Sequence, residues 1–211
     1  MVTKMNIKKA SLLLIFGLLY TVFYKVIFWI LPFISNNNVL KNILSVLWLI
    51  SAFTIIIFIY YFLKEVTPLN SQIKISLMLV IVFTTLIVLL KLPIELIPND
   101  RILRNLIFES SRLLNSFSIL LFFIFFHKII SRKYFLHQPI KMVIWGISIS
   151  LIVGMISFGY YINYFLTGNE SVPFPPLQFL AIIVFIFTYG AIINFLVKFS
   201  KVEDYSKLIN R

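Results

Sequence analysis

The stretch ISLMLVIVFTTLIVLL, residues 75–90, contains no charged side chain and only three hydroxyl-bearing residues. An α-helix needs about 20 predominantly apolar residues to cross the hydrocarbon core of a bilayer, and the apolar character continues to about residue 97. We therefore predict a membrane-spanning helix over residues 75–97. Stretches of similar length and composition predict five more spans, at residues 10–34, 43–63, 105–130, 142–166 and 177–198.

The composition of the whole chain agrees with this pattern. Of its 211 residues, 61% are hydrophobic and 12% are charged, whereas soluble domains are about half apolar and a quarter charged. The connections between the six stretches are short, so no soluble domain fits between them. The sequence predicts an all-α integral membrane protein, with one polytopic transmembrane domain over residues 1–211 and the lipid bilayer as a partner.

The basic residues predict the orientation. When successive loops are assigned to alternate sides, only Lys41, Arg101 and Arg104 fall on the side opposite the amino terminus. The positive-inside rule then places both termini in the cytoplasm. The basic residues on the amino-terminal side are Lys4, Lys8, Lys9, Lys64, Lys74, Lys128, Arg132, Lys133, Lys141, Lys198, Lys201, Lys207 and Arg211.

Abundant Ile, Phe, Asn and Lys are typical of an AT-rich genome. We take the protein to be a multi-pass protein of a bacterial cytoplasmic (inner) membrane, and we attribute part of its 23 Phe residues to coding bias.

Several classes of function lack their sequence signatures. The net charge of +12 comes from residues that flank apolar segments, not from a basic stripe with interleaved aromatics, so we predict no nucleic-acid partner. The absence of cysteine excludes disulfides and thiolate chemistry. No HExxH motif, GxSxG elbow or glycine-rich phosphate loop occurs. We predict no metal site, no cofactor and no catalytic residue.

A group of polar residues inside the spans predicts a ligand or ion site formed by Lys25, Glu109, Arg112 and Asn163. Charged side chains at mid-bilayer are costly and tend to find partners or water. Glu109 and Arg112 are three residues apart, which permits an ion pair, and Lys25 reaches a similar depth from the first span. The alternatives are a structural ion-pair cluster that orients helices, or a half-helix at residues 101–116 that lies along the outer interface.

Gly146, Ser150 and Gly154 recur every four residues in the fifth span. Small residues at this spacing allow helices to approach closely. We predict a helix-packing stripe, with a homo-oligomer contact as the alternative.

Three functions remain open. The first is a non-enzymatic small membrane subunit or accessory of a larger membrane complex, favoured by the absence of a catalytic set and of internal repeats. Its partners would be other membrane protein subunits or further copies of the chain. The second is transport of a small solute or ion by the chain alone, through the polar site around Glu109. The third is an intramembrane enzyme acting on lipid-linked substrates.

Overall fold

The computed structural model describes residues 5–30, 38–66, 71–91, 101–130, 135–167 and 175–202. All elements in these ranges are α-helices, which confirms the predicted all-α class. They are α1 (Ile7–Ile30), α2 (Asn38–Glu65), α3 (Ser71–Lys91), α4 (Arg101–Ile129), α5 (His137–Thr167) and α6 (Pro175–Phe199).

Each predicted span coincides with one helix, with boundaries that differ by a few residues. The described part of α3 ends at Lys91, and residues 92–97 of the predicted span lie outside the described residues.

Within the described residues, five helices contain segments that are long and apolar enough to cross a membrane. These segments are Ile7–Tyr24 in α1, Ser71–Leu89 in α3, Leu106–Ile129 in α4, His137–Tyr160 in α5 and Phe179–Phe199 in α6. In α2 the side chains are described only from Ala52 onward, and this part of the helix is shorter than a membrane-crossing segment. The protein is therefore a multi-pass membrane protein by the length and composition of its helices.

Helices that are consecutive in the chain are neighbours in space. α1 packs on α2, α3 on α4, α4 on α5, and α5 on α6, while α2 and α3 touch more lightly. α6 also contacts α1, so the first and last helices meet and the bundle closes into a ring. The start of α1 is joined to the end of α2, because the Ile7 N–H donates to Glu65 Oε1 at 3.1 Å.

The most completely buried side chains lie at one end of the bundle. They come from the starts of α1, α3 and α5 and from the ends of α2, α4 and α6, and we call this region the packed end. Its members are Ile7, Phe62, Val66, Ile73, Phe126, Ile130, Leu136, Ile140, Phe195, Leu196 and Phe199. Among the described residues, the same helix ends carry eight lysines, which are Lys8, Lys9, Lys64, Lys74, Lys128, Lys141, Lys198 and Lys201.

Phenylalanines from α2, α4 and α6 interlock at the packed end. The Phe62 ring lies 5.3 Å from both Phe122 and Phe126 of α4 and 5.7 Å from Phe199 of α6. Phe123 meets Phe195 edge-on at 5.2 Å. Aromatic pairs in such arrangements are worth about 0.5–1.5 kcal/mol each beyond the area they bury. This aromatic cluster therefore fixes three non-consecutive helices to one another.

Hydroxyl groups inside the helices are mostly satisfied locally. Ser11, Thr21, Ser111 and Ser118 each donate to the carbonyl four residues earlier, at 2.8–2.9 Å. An unsatisfied polar group in hydrocarbon costs several kcal/mol, so these back-bonds make hydroxyls compatible with apolar helices. Ser116 and Ser150, at the site described next, are exceptions, because their hydroxyls make no such bond within the described part of the chain.

Candidate functional site

The polar first half of α4 is part of the bundle from Leu106 onward. α4 runs as one helix from Arg101 to Ile129. Ser111 is 3% exposed, and Arg112 and Ser116 line a partly open cavity. The described residues of this half-helix thus face protein on one side.

The cavity lies between α1, α4, α5 and α6 and has a volume of about 630 Å³. Typical small-molecule sites have volumes of about 300–1,000 Å³. Its polar lining residues are Tyr24, Arg112, Ser116, Ser150, Ser157 and Tyr189, and the remaining lining is apolar, from residues such as Val153, Val184 and Phe185. The cavity is thus large enough for a molecule of more than a few atoms and presents two kinds of surface to it.

An ion pair joins two residues of the predicted site. Arg112 Nη2 lies 3.1 Å from Glu109 Oε2 on the same helix. The two side chains differ in exposure, with 45% for Arg112 and 13% for Glu109. The carboxylate is therefore withdrawn into the protein, while the guanidinium extends into the cavity wall.

The other two residues of the predicted site are not brought into this arrangement by the described structure. Asn163 is exposed on α5, and its backbone carbonyl accepts a hydrogen bond from Thr167 Oγ1 at 2.8 Å. It is not among the described residues that line the cavity. Lys25 belongs to α1 by its backbone, but its side chain lies outside the described residues.

The stripe of small residues on α5 makes close contacts with neighbouring helices and also borders the cavity. At Gly146 an added Cβ would lie 3.1 Å from the Thr188 Cα on α6, and at Gly154 one would lie 2.8 Å from Leu113 Cδ2 on α4. Ser150, between the two glycines, lines the cavity, and Gly154 does so as well. The stripe therefore packs against α6 at Gly146 and against the Leu113 side chain at Gly154, and Ser150 and Gly154 also border the cavity.

A hydrogen bond between helices lies at the end of the cavity nearest the packed end. Thr188 Oγ1 donates to the Gly146 carbonyl at 2.9 Å and also lies 2.7 Å from the Val184 carbonyl. Six residues separate Tyr189, which lines the cavity, from Phe195 of the aromatic cluster, a rise of about 9 Å along a helix. The cavity thus ends above the aromatic cluster.

Two tyrosines of the cavity were not predicted as site residues from the sequence. Tyr24 and Tyr189 lie in apolar spans without a flanking motif, and tyrosines near span ends are usually interfacial anchors. No signal in one sequence indicates that α1 and α6 turn these rings toward the same space. Only the closure of the ring of helices brings them together.

The two histidines meet at the packed end. The His127 and His137 rings have centroids 4.2 Å apart. Among the described residues, no group of three or more His, Cys, Asp or Glu side chains could hold a metal ion. The histidine pair therefore has no third ligand in the described part of the chain.

Comparisons with protein-family models, with curated proteins and with solved structures gave no match.

Proposed function

We propose that this protein is a membrane-embedded binding protein that takes up a ligand in the cavity beside Arg112 and serves as an accessory subunit of a larger membrane complex. The observation that carries the proposal is the shape of the interior. A cavity of about 630 Å³ occupies one part of the bundle, and the aromatic cluster fills the packed end. Because the described side chains of the packed end are buried against one another, we expect a ligand in this cavity not to pass through that end.

The packing of that end favours binding over transport by the chain alone. A polar path through the bundle would expose buried rings such as Phe62, Phe126 and Phe199 to water. Moving one such side chain from an apolar environment into water costs about 1.5–3 kcal/mol. Opening the six rings of the aromatic cluster would therefore cost on the order of 10–20 kcal/mol, unless a partner or another driving force compensates.

The orientation is part of the same proposal. Lysines lie at the packed end, such as Lys64 and Lys74, and by the positive-inside rule they favour a cytoplasmic location for that end. The cavity then faces the outside of a bacterial inner membrane, α2 is a sixth span, and both termini are cytoplasmic. Cysteines introduced as Asn36→Cys and Glu170→Cys should react with a membrane-impermeant reagent from the outside. Reaction only from the cytoplasm would reverse the orientation.

Single cysteines test the cavity directly, because the chain has none of its own. We expect Ser157→Cys, in the cavity lining, to react in membrane vesicles with small charged methanethiosulfonate reagents added from the outside. Ser76→Cys is the matched control, because Ser76 is 1% exposed and lies near the packed end. It should not react from either side. Equal reactivity of the two variants would contradict the one-sided cavity.

Co-purification separates the accessory function from independent transport. The tagged chain, extracted at native expression in a mild detergent, should retain a stoichiometric membrane partner that mass spectrometry identifies. Recovery of the chain alone would favour the transporter, and the cavity variants would then be measured by solute flux in proteoliposomes.

A further inference from the structure

We infer that the ligand of this cavity is an anionic amphiphile, with a carboxylate or phosphate group at Arg112 and an apolar body along α5 and α6. This inference rests on the proposed binding function and specifies its ligand. The ligand could come from the membrane as a lipid headgroup with its chains, or from water as a small soluble amphiphile. Both sources share the same chemistry.

The charge of the cavity wall indicates that the ligand is anionic. Arg112 is the charged residue among those described in the lining, and none of the described lining residues is acidic. Glu109 holds Nη2 of the guanidinium from outside the lining. A guanidinium has five N–H donors and binds carboxylate and phosphate groups through two of them at once. The pair therefore positions a cation that still has donors to offer to the cavity.

Hydroxyl groups supply further donors around the same space. Within the described part of the chain, Ser116, Ser150 and Tyr189 line the cavity without a hydrogen-bond partner for their hydroxyls. This differs from Ser118 and Ser157, which donate to carbonyls four residues earlier. All three side chains are half-buried, so their hydroxyls are accessible from the cavity, and an oxyanion there would accept from the hydroxyls and the guanidinium together.

The size and the apolar surface define the rest of the ligand. A volume of about 630 Å³ equals the liquid volume of about twenty water molecules, so an inorganic anion alone leaves most of the cavity unfilled. Much of the remaining wall is made of side chains such as Val153, Val184 and Phe185. Apolar groups of the ligand would displace water from this surface and gain from the hydrophobic effect.

The test uses the full chain in phosphatidylcholine nanodiscs, with Ser157→Cys as the reporter. The Ser157 hydroxyl donates to the Val153 carbonyl, so this change leaves the proposed donor set intact. We expect octyl phosphate to slow the reaction of the cysteine with neutral N-ethylmaleimide. Octanol, which lacks the charge, and inorganic phosphate, which lacks the apolar body, should protect at least about tenfold more weakly.

Arg112→Gln in the reporter background should weaken protection by octyl phosphate about tenfold or more, because a charge-assisted bidentate contact is lost. It should also remove the preference of the cysteine for anionic over cationic methanethiosulfonate reagents. Lys141→Gln makes the same change of charge on the exposed surface of α5 and should change neither result. Tyr189→Phe removes one hydroxyl, keeps the ring, and should weaken protection by a few-fold even if Arg112→Gln does not fold.

The outcomes separate the inference from the proposed function. Protection by phosphatidylglycerol in the nanodisc, without added probe, supports the inference and assigns the ligand to the membrane. Protection by octyl phosphate alone supports it and assigns the ligand to water. A reactive cysteine that octanol protects as well as octyl phosphate does, or that no probe protects, overturns the inference and leaves the cavity. An unreactive cysteine overturns both.

Discussion

The same substitution should destabilise the protein at one glycine of α5 and leave its stability almost unchanged at another. At Gly146 an added methyl group would lie 3.1 Å from both the Cα and Oγ1 of Thr188, and at Gly154 it would lie 2.8 Å from Leu113 Cδ2. The shorter distance belongs to the end of a flexible side chain. The longer one involves the backbone of a neighbouring helix. We therefore predict that Gly146→Ala destabilises the protein and that Gly154→Ala does not.

The magnitudes follow from what each site must move. At Gly146, α5 and α6 must separate, which costs about 1–3 kcal/mol for an overpacked contact. The hydrogen bond from Thr188 Oγ1 to the Gly146 carbonyl, at 2.9 Å, weakens as they do, and such bonds average about 0.6 kcal/mol in membranes. Alanine in place of glycine in a helix returns about 0.5–1 kcal/mol. The expected net loss is about 0.5–3 kcal/mol.

At Gly154 the Leu113 side chain can rotate away into the cavity that both residues line. An off-rotamer side chain costs about 0.5–1.5 kcal/mol, and the gain in helix propensity is of the same size. The expected change in unfolding free energy is close to zero.

The measurement is reversible unfolding of both variants in mixed micelles of mild detergent and SDS, followed by far-UV circular dichroism. Thr188→Ala in the Gly146→Ala background removes one of the crowded atoms and should recover part of the loss. The reasoning is wrong if Gly146→Ala is as stable as the unmodified protein, or if Gly154→Ala is the less stable of the two.

Two further predictions use the same unfolding assay. Phe62→Ala should cost about 1–3 kcal/mol, less than in a soluble core, because the separated helices stay in lipid and only packing is lost. The control Phe23→Ala, at a side chain that is 61% exposed, should change stability by less than about 0.5 kcal/mol. Equal losses in the two variants would contradict the proposed importance of the aromatic cluster. Glu65→Gln should cost about 0.3–1 kcal/mol, because it removes the negative charge that accepts the Ile7 N–H at the start of α1, and a neutral result would mean that the uncharged amide acceptor suffices.

The sequence predicted the helices well and their contacts poorly. Predominantly apolar stretches located the six helices that the structure describes, because the bilayer requires a fixed length of apolar residues. The Glu109–Arg112 pair was predicted from its spacing, since residues three apart on a helix are neighbours, and it forms at 3.1 Å. Local periodicity was sufficient for both results.

Contacts between distant helices had no such local signal. The phenylalanines were partly attributed to coding bias, yet Phe62, Phe126 and Phe199 come from three different helices and form one cluster. Helix periodicity shows which residues share a face but not which helix that face meets. For the same reason Tyr24 and Tyr189 were not predicted to share a cavity.

The stripe on α5 connects the fold to the site, because the same small residues that allow contact also leave space. Gly146 brings α5 against α6 through Thr188, which fixes the distance between the two helices near the floor of the cavity. One and two turns further on, Ser150 and Gly154 line the cavity, since their side chains are too small to fill it. A packing motif thereby forms one wall of a binding site.

Filling that wall tests the connection. Ser150→Leu should occupy part of the cavity, abolish protection of the Ser157→Cys reporter by octyl phosphate, and leave stability unchanged or higher, because added apolar atoms gain contacts in an open space. Ser150→Ala removes the hydroxyl without adding bulk, so it should weaken protection only a few-fold. If the Leu variant binds as well as the Ala variant, the cavity beside Ser150 is not where the ligand lies. If it unfolds, α5 packs too tightly against α4 and α6 for the cavity to exist in the membrane.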